Sequence, residues 1–76
     1  MLVLIGKVIK KEVSDRKASI YVQTEYGAIN VQAQTKETIL KVIPIDTNNL
    51  VNVKVEFNTP GDITNIILKE IKRVGA

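Results

Sequence analysis

Apolar and polar residues alternate along much of this chain, with the two-residue period of half-buried strands. The alternation is regular in residues 18–24, 28–34 and 50–57. Glu25-Tyr26-Gly27 joins the first two segments as a short loop, in which a glycine can adopt the positive φ of a bulged hairpin. The inward positions predicted by this period are Ile20, Val22, Ile29, Val31, Ala33, Val51, Val53, Val55 and Phe57. The pattern therefore predicts a hairpin and a further strand.

Residues 2–13 are rich in β-branched side chains and predict one long strand. Gly6 interrupts it, which predicts a bend or bulge at that position. Both parities of this strand are apolar, so one face needs a cover. The tail, the short helix or a second copy of the chain could provide it. Residues 14–17 are polar and predict a turn.

The period becomes helical in residues 35–43. Thr35 is a suitable N-cap, and Ile39, Leu40 and Ile43 share one helical face. Pro44 prevents continuation. A short helix is predicted between the third and fourth strands.

The tail, residues 62–74, fits two structures. Its isoleucines lie on one helical face with Asp62 as a possible N-cap, which favours a helix. Its many β-branched residues and the turn residues Thr59-Pro60-Gly61-Asp62 favour the second strand of a hairpin. We favour the strand, because otherwise the fourth strand leaves an edge to cover.

The predicted order is a long strand bent at a glycine, a hairpin, a short helix and another hairpin. The stretches that define it are Ile5-Gly6-Lys7-Val8, Thr24-Glu25-Tyr26-Gly27-Ala28-Ile29, Val51-Asn52-Val53-Lys54-Val55, Gly61 and Ile66-Ile67-Leu68-Lys69-Glu70-Ile71. This order resembles the OB-fold, a five-stranded Greek-key barrel, over nearly the whole chain. In this arrangement the chain looks like the small phage and plasmid single-stranded-DNA-binding proteins and the one-domain bacterial translation initiation factor. The resemblance implies a mainly β barrel with one short helix and a nucleic-acid groove centred on the second and third strands.

Length and composition restrict the protein class. The 76 residues allow one domain, residues 1–76, and the absence of Cys predicts a reducing compartment. The N-terminal run Met1–Ile5 is too short for a signal-peptide core, and no segment has the length of a membrane span. We therefore expect a cytoplasmic protein. A net charge of +3 is a mild bias toward anionic partners.

The sequence offers little for catalysis. It contains no His and no Cys, its eight carboxylates are scattered singly, and its four glycines form no phosphate loop. We expect neither an enzyme nor a metal or cofactor site.

Binding has more candidate residues. Amides and an aromatic ring share the outward parity of the hairpin and suit base edges, sugars and stacking. They are Tyr21, Gln23, Asn30, Gln32 and Gln34, with Tyr26 at the loop. Basic residues that could meet phosphates are Lys7, Lys10, Lys11, Arg16, Lys17 and Lys54. All of these residue types also occur on ordinary solvent-facing strands.

The sequence therefore predicts a non-enzymatic protein that binds single-stranded DNA or RNA with little sequence preference. The two apolar faces of the first strand favour a homo-oligomer. One alternative is a protein-interaction module that uses the apolar first strand. Another is a chromatin-like duplex binder with an SH3-like barrel, which requires a helical tail.

Overall fold

A computed structural model describes residues 2–57 and 66–75. Five strands and one helix account for most of them, so the fold is mainly β, as predicted. The turn predicted at residues 59–62 and the start of the tail lie outside the described residues. The elements are β1 (Leu2–Val13), β2 (Ala18–Thr24), β3 (Gly27–Ala33), α1 (Lys36–Val42), β4 (Leu50–Phe57) and β5 (Ile66–Arg73).

The strands close into a barrel in the order β1-β2-β3-β5-β4. Every neighbouring pair is antiparallel except β3 and β5, whose short parallel contact pairs Val31 with Ile66 and Gln32 with Ile67. Parallel neighbours need a crossover, which α1 and β4 provide. The five-stranded OB-like barrel is confirmed, and the tail is a strand over residues 66–73, as we favoured.

The barrel interior is filled by the side chains that the alternation predicted. Ile20, Val22, Val31, Ala33, Val51, Val53 and Val55 are buried, and Ile29 and Phe57 pack against them while partly buried. Strand β5 adds Ile66, Leu68 and Ile71. The outward residues of the same strands form the barrel surface.

The first strand serves two neighbours. Its first half pairs with β4 and its second half with β2, and Lys7 pairs with both. A Cβ on Gly6 would lie 2.4 Å from the carbonyl oxygen of Gln23, so only glycine allows β2 to approach here. The bulge predicted at Gly6 is instead at Ile9, because Val8 pairs with Val22 and Lys10 with Tyr21.

The helix is one residue shorter at each end than predicted, and Thr35 is its N-cap. Thr35 Oγ1 accepts a hydrogen bond from the Thr38 amide, while Thr38 Oγ1 accepts one from the Thr35 amide. This capping box holds Thr38 in the buried face, beside Val42. The predicted apolar face was wrong in part, because Leu40 and Ile43 are exposed and only Ile39 packs on the core. In the part of the chain that the structure describes, no helix is long and apolar enough to cross a bilayer.

Candidate functional site

The outer surface of β1, β2 and β3 brings six of the twelve predicted binding residues together. Cross-strand pairing arranges them in three rows across the three strands. We call this surface the β1–β2–β3 face. Its rows are Lys7–Gln23–Ala28, Lys10–Tyr21–Asn30 and Glu12–Ser19–Gln32.

The bulge at Ile9 decides which lysines belong to this face. Outward residues of β1 have odd numbers before the bulge, as in Lys7, and even numbers after it, as in Lys10. One extra residue in a strand turns every later side chain to the opposite face. Without the bulge, Ile9 would be opposite Tyr21 and Lys11 opposite Ser19, while Lys10 would point inward opposite Ile20.

As a result, the Lys11 side chain makes its contact outside the β1–β2–β3 face. It pairs with the inward-facing Ile20, and its Nζ donates a 2.9 Å hydrogen bond to the carbonyl oxygen of Ile43, the C-cap of α1. A cation at a helix C-terminus is favourable, because the last carbonyl groups there carry partial negative charge. The structure therefore gives Lys11 a structural contact at the end of the barrel, off the face.

Tyr21 lies at the centre of the face, partly buried, beneath the ammonium of Lys10. Lys10 Nζ is 5.5 Å from the centre of the ring, within cation–π range. The same ammonium is 3.0 Å from Glu12 Oε1. The hydrogen bond to Glu12 is the main reason that the pKa of Lys10 is raised. One face of the ring is thus covered by a cation that a carboxylate holds in place.

Amide side chains are distributed along β2 and β3, with Asn30 directly opposite Tyr21. Gln23 Nε2 donates to the Thr24 carbonyl (3.2 Å), and Gln34, one residue beyond β3, donates to Gln32 Oε1 (3.4 Å). Asn30 Oδ1 is buried and accepts no hydrogen bond from the residues described. A buried acceptor without a donor is energetically unfavourable.

The hairpin tip adds an exposed aromatic ring. Gly27 has the predicted positive φ, and the loop contains only Glu25 and Tyr26. Thr24 fixes its shape, since Thr24 Oγ1 donates to the Gly27 carbonyl and accepts from the Tyr26 amide. Tyr26 is 78% exposed. It borders an open depression of about 380 Å³ whose other lining residues are Leu2, Val3, Leu4, Ile5, Thr24 and Glu25.

Three other predicted phosphate contacts lie off the face. Arg16 and Lys17 are exposed in the β1–β2 turn, next to its last row. Lys54 is on β4, opposite Val3 of β1, and forms an ion pair with Glu70 on β5 (3.5 Å). The structure therefore separates Lys54 from Tyr21.

Strands β4 and β5 carry a different outer surface, which we call the β4–β5 face. Its charged side chains bind one another: Glu70 contacts both Lys54 and Lys72, and Lys69 contacts Glu56 at 3.5 Å. Lys72 and Lys54 lower the pKa of Glu70, and the hydrogen bond from Lys72 has the largest effect. Each cation of this set already has an anionic partner.

Sequence reasoning missed two polar members of the β1–β2–β3 face, Glu12 and Ser19. Glu12 is not among the predicted binding residues, although it contacts Lys10 directly. The spacing of Lys10 and Glu12, two residues apart in a strand, was the available signal. Among residues 2–57 and 66–75, no three carboxylate side chains are close enough to hold a metal ion.

Comparison with known proteins supports the fold. No protein-family model matches the chain, and no curated protein matches it. Among solved structures, it resembles a Leishmania major protein assigned as an aspartyl-tRNA synthetase, with a TM-score of 0.75 and 15% identity. The match covers 96% of this chain and 17% of that protein, so this chain corresponds to about a sixth of its length. At this identity the similarity establishes a shared barrel fold.

Proposed function

We propose that this chain is a non-enzymatic protein that binds single-stranded DNA or RNA on the β1–β2–β3 face. The observation that carries the proposal is the row Lys10–Tyr21–Asn30, which sets a cation, an aromatic ring and an amide side by side. The cation suits a phosphate, the ring suits the aromatic surface of a base, and the amide suits the hydrogen-bonding edge of a base. The fold similarity supports the proposal further, because a tRNA synthetase acts on a nucleic acid.

Recognition by such a face is tolerant of sequence. Every base has an aromatic surface that stacks on tyrosine, and amides can match several base edges. Single strands present those surfaces, whereas a duplex hides them in its own stack. We therefore expect a preference for single strands over duplexes and little preference among bases.

Magnitudes indicate a modest affinity for one copy of the chain. Stacking contributes about 1–3 kcal/mol per base. Tyr21 and Tyr26 together would then supply about 2–6 kcal/mol, and a millimolar Kd already requires about 4 kcal/mol. Phosphate contacts from Lys7 and Lys10, or a second copy that gains avidity, would raise the affinity.

A second candidate function, protein interaction, rests on the outer residues of β1. Val3 is 51% and Ile5 59% exposed, beside the depression at the hairpin tip. Exposed neighbouring apolar side chains commonly mark a contact surface. This candidate predicts self-association or partner capture, without affinity for nucleic acid.

The test is fluorescence-anisotropy binding to a labelled mixed-sequence strand and its duplex, in DNA and RNA forms, at two salt concentrations. We expect single strands to bind better, with a log–log salt slope of about −0.7 per phosphate contact. The Tyr21→Ala/Tyr26→Ala double variant should bind more weakly by about 2–6 kcal/mol if both rings stack.

A matched control removes two other large exposed side chains. Leu40→Ala/Ile43→Ala changes α1, away from the face, and should leave binding intact. A folded tyrosine double variant that binds fully would remove the stacking mechanism. Absence of binding to all four nucleic acids at micromolar protein and low salt would reject the proposal and favour the protein-interaction candidate.

A further inference from the structure

In the central row of the β1–β2–β3 face, the Lys10 side chain occupies the surface of Tyr21 on which a base would stack. The Lys10 ammonium covers the Tyr21 ring, 5.5 Å from its centre, and Glu12 holds that ammonium at 3.0 Å. A base that stacks on this side of the ring must occupy the same space. Stacking on that side therefore requires Lys10 to move.

The position of Glu12 is set by the strand itself. Lys10 and Glu12 follow the bulge at Ile9, so both point outward on the same side of β1. Glu12 is opposite Ser19 and Lys10 is opposite Tyr21 on β2, which makes the carboxylate a neighbour of the ring's row. Lys10 and Glu12 are more than half exposed, so a phosphate can reach the ammonium from solvent.

We propose that Glu12 is a positioning residue that holds Lys10 over Tyr21 in the free protein and so opposes binding until a phosphate takes its place. This inference rests on the proposed function. A base occupies the ring face as the ammonium leaves, and the nearest phosphate then replaces Glu12 as the partner of Lys10. The face therefore favours ligands that bring a base and a phosphate together, as a strand does, over a free base.

The raised pKa of Lys10 agrees with this arrangement, since the hydrogen bond to Glu12 stabilises the charged ammonium. The other charged side chain on the face is Lys7, one row away, and Asn30 is the uncharged neighbour of Tyr21 on β3. Within the described residues, Glu12 is thus the carboxylate that faces this ammonium.

The first measurement needs no ligand. Aromatic ring currents shift the NMR resonances of protons above a ring, so the Lys10 side-chain methylene protons should be shifted in the wild type and not in Tyr21→Ala. Glu12→Gln should reduce the shift, because it removes the charge that anchors the ammonium. An unchanged Lys10 shift in Glu12→Gln would overturn the inference.

The second measurement is anisotropy binding of a labelled oligothymidylate of about 15 nucleotides, long enough to cover one OB-type site. Glu12→Gln should bind about two- to fivefold more tightly, as expected for releasing an exposed cation–π contact. Glu56→Gln is the matched control, since it breaks a similarly exposed ion pair with Lys69 on the β4–β5 face and should not change affinity.

A double-mutant cycle separates positioning from simple charge removal. If Glu12 acts through the ring, Glu12→Gln should give no gain in a Tyr21→Ala background. An equal gain in both backgrounds, or in Glu56→Gln, would mean that Glu12 only repels phosphate, and would overturn the inference while the proposed function stands. Wild-type protein that does not bind the strand would instead overturn the proposed function, and this inference with it.

Discussion

The two outer faces of the barrel carry the same net charge in different arrangements. The β1–β2–β3 face has two lysines and one glutamate, and the β4–β5 face has Lys54, Lys69 and Lys72 with Glu56 and Glu70. Both sums are +1. On β4–β5 every one of these charges is in an ion pair, whereas on the other face Lys7 forms none within the described residues.

The difference shows that the same net charge can come from two arrangements, one fully paired and one with a lysine outside any ion pair among the described residues. A paired lysine must first give up its partner, so a phosphate gains less from it than from an unpaired lysine. The β1–β2–β3 face instead offers a ring, amides and a lysine without an observed ion pair on adjacent strands. The predictions below test that contrast.

The largest effect should follow from separating β1 from β2, which would disrupt the β1–β2–β3 face. A Cβ on Gly6 would lie 2.4 Å from the Gln23 carbonyl oxygen and 2.6 Å from Val22 Cγ1. Gly6→Ala should therefore lower the free energy of unfolding. The loss should lie near the upper end of the range of about 1–3 kcal/mol that is typical of overpacking. Urea unfolding would measure the loss.

Ala28→Val is the control for Gly6→Ala, because it adds methyl groups at an exposed position in the neighbouring row. It should leave the free energy of unfolding nearly unchanged, since valine is favoured in strands. If Gly6→Ala is as stable as Ala28→Val, the close approach of β1 and β2 is not needed.

The second prediction compares one lysine from each face. Lys7→Ala should weaken single-strand binding about fivefold at 0.1 M salt and flatten the log–log salt slope by about 0.7, as for one lost phosphate contact. Lys54→Ala should change neither, because Lys54 is paired with Glu70 on the other face. Equal losses in the two variants would remove the distinction between the faces.

The third prediction concerns the residue that the bulge turned away from the face. Lys11→Met keeps the aliphatic stem and removes the hydrogen bond to the Ile43 carbonyl. It should lower the free energy of unfolding by about 0.5–1.5 kcal/mol and leave binding unchanged. Lys17→Met is the control, and thermal unfolding should show no such loss for it. A variant with normal stability and weak binding would return Lys11 to the ligand site.

The smallest effect should be the contribution of Glu70, on the β4–β5 face, to the pH dependence of the Tm. Lys72 and Lys54 lower the pKa of Glu70, so its ionised form stabilises the fold above the pKa of an unfolded glutamate, about 4.3. That contribution is lost as the pH falls through the lower folded-state pKa. Glu70→Gln should therefore flatten the decline of Tm below about pH 4.3. Identical profiles for the two proteins would contradict this role.

Sequence alone predicted the faces of β2 and β3, because both strands alternate regularly and a short loop fixes their register. It could not place Lys10 and Lys11, since the bulge at Ile9 depends on how β1 meets two neighbours at once. The apolar face of α1 was also misjudged. Both sides of that short helix contain large apolar residues, and the capping box, rather than hydrophobicity, buries Thr38.

The central claim is that ligand contacts the β1–β2–β3 face and leaves the β4–β5 face free. Backbone amide NMR of the labelled protein, titrated with a single-stranded oligonucleotide, tests it most directly. We predict the largest shift changes at Lys7, Lys10, Tyr21, Gln23 and Asn30, with small changes at Asn52, Lys54 and Lys72. The reverse distribution would contradict the account.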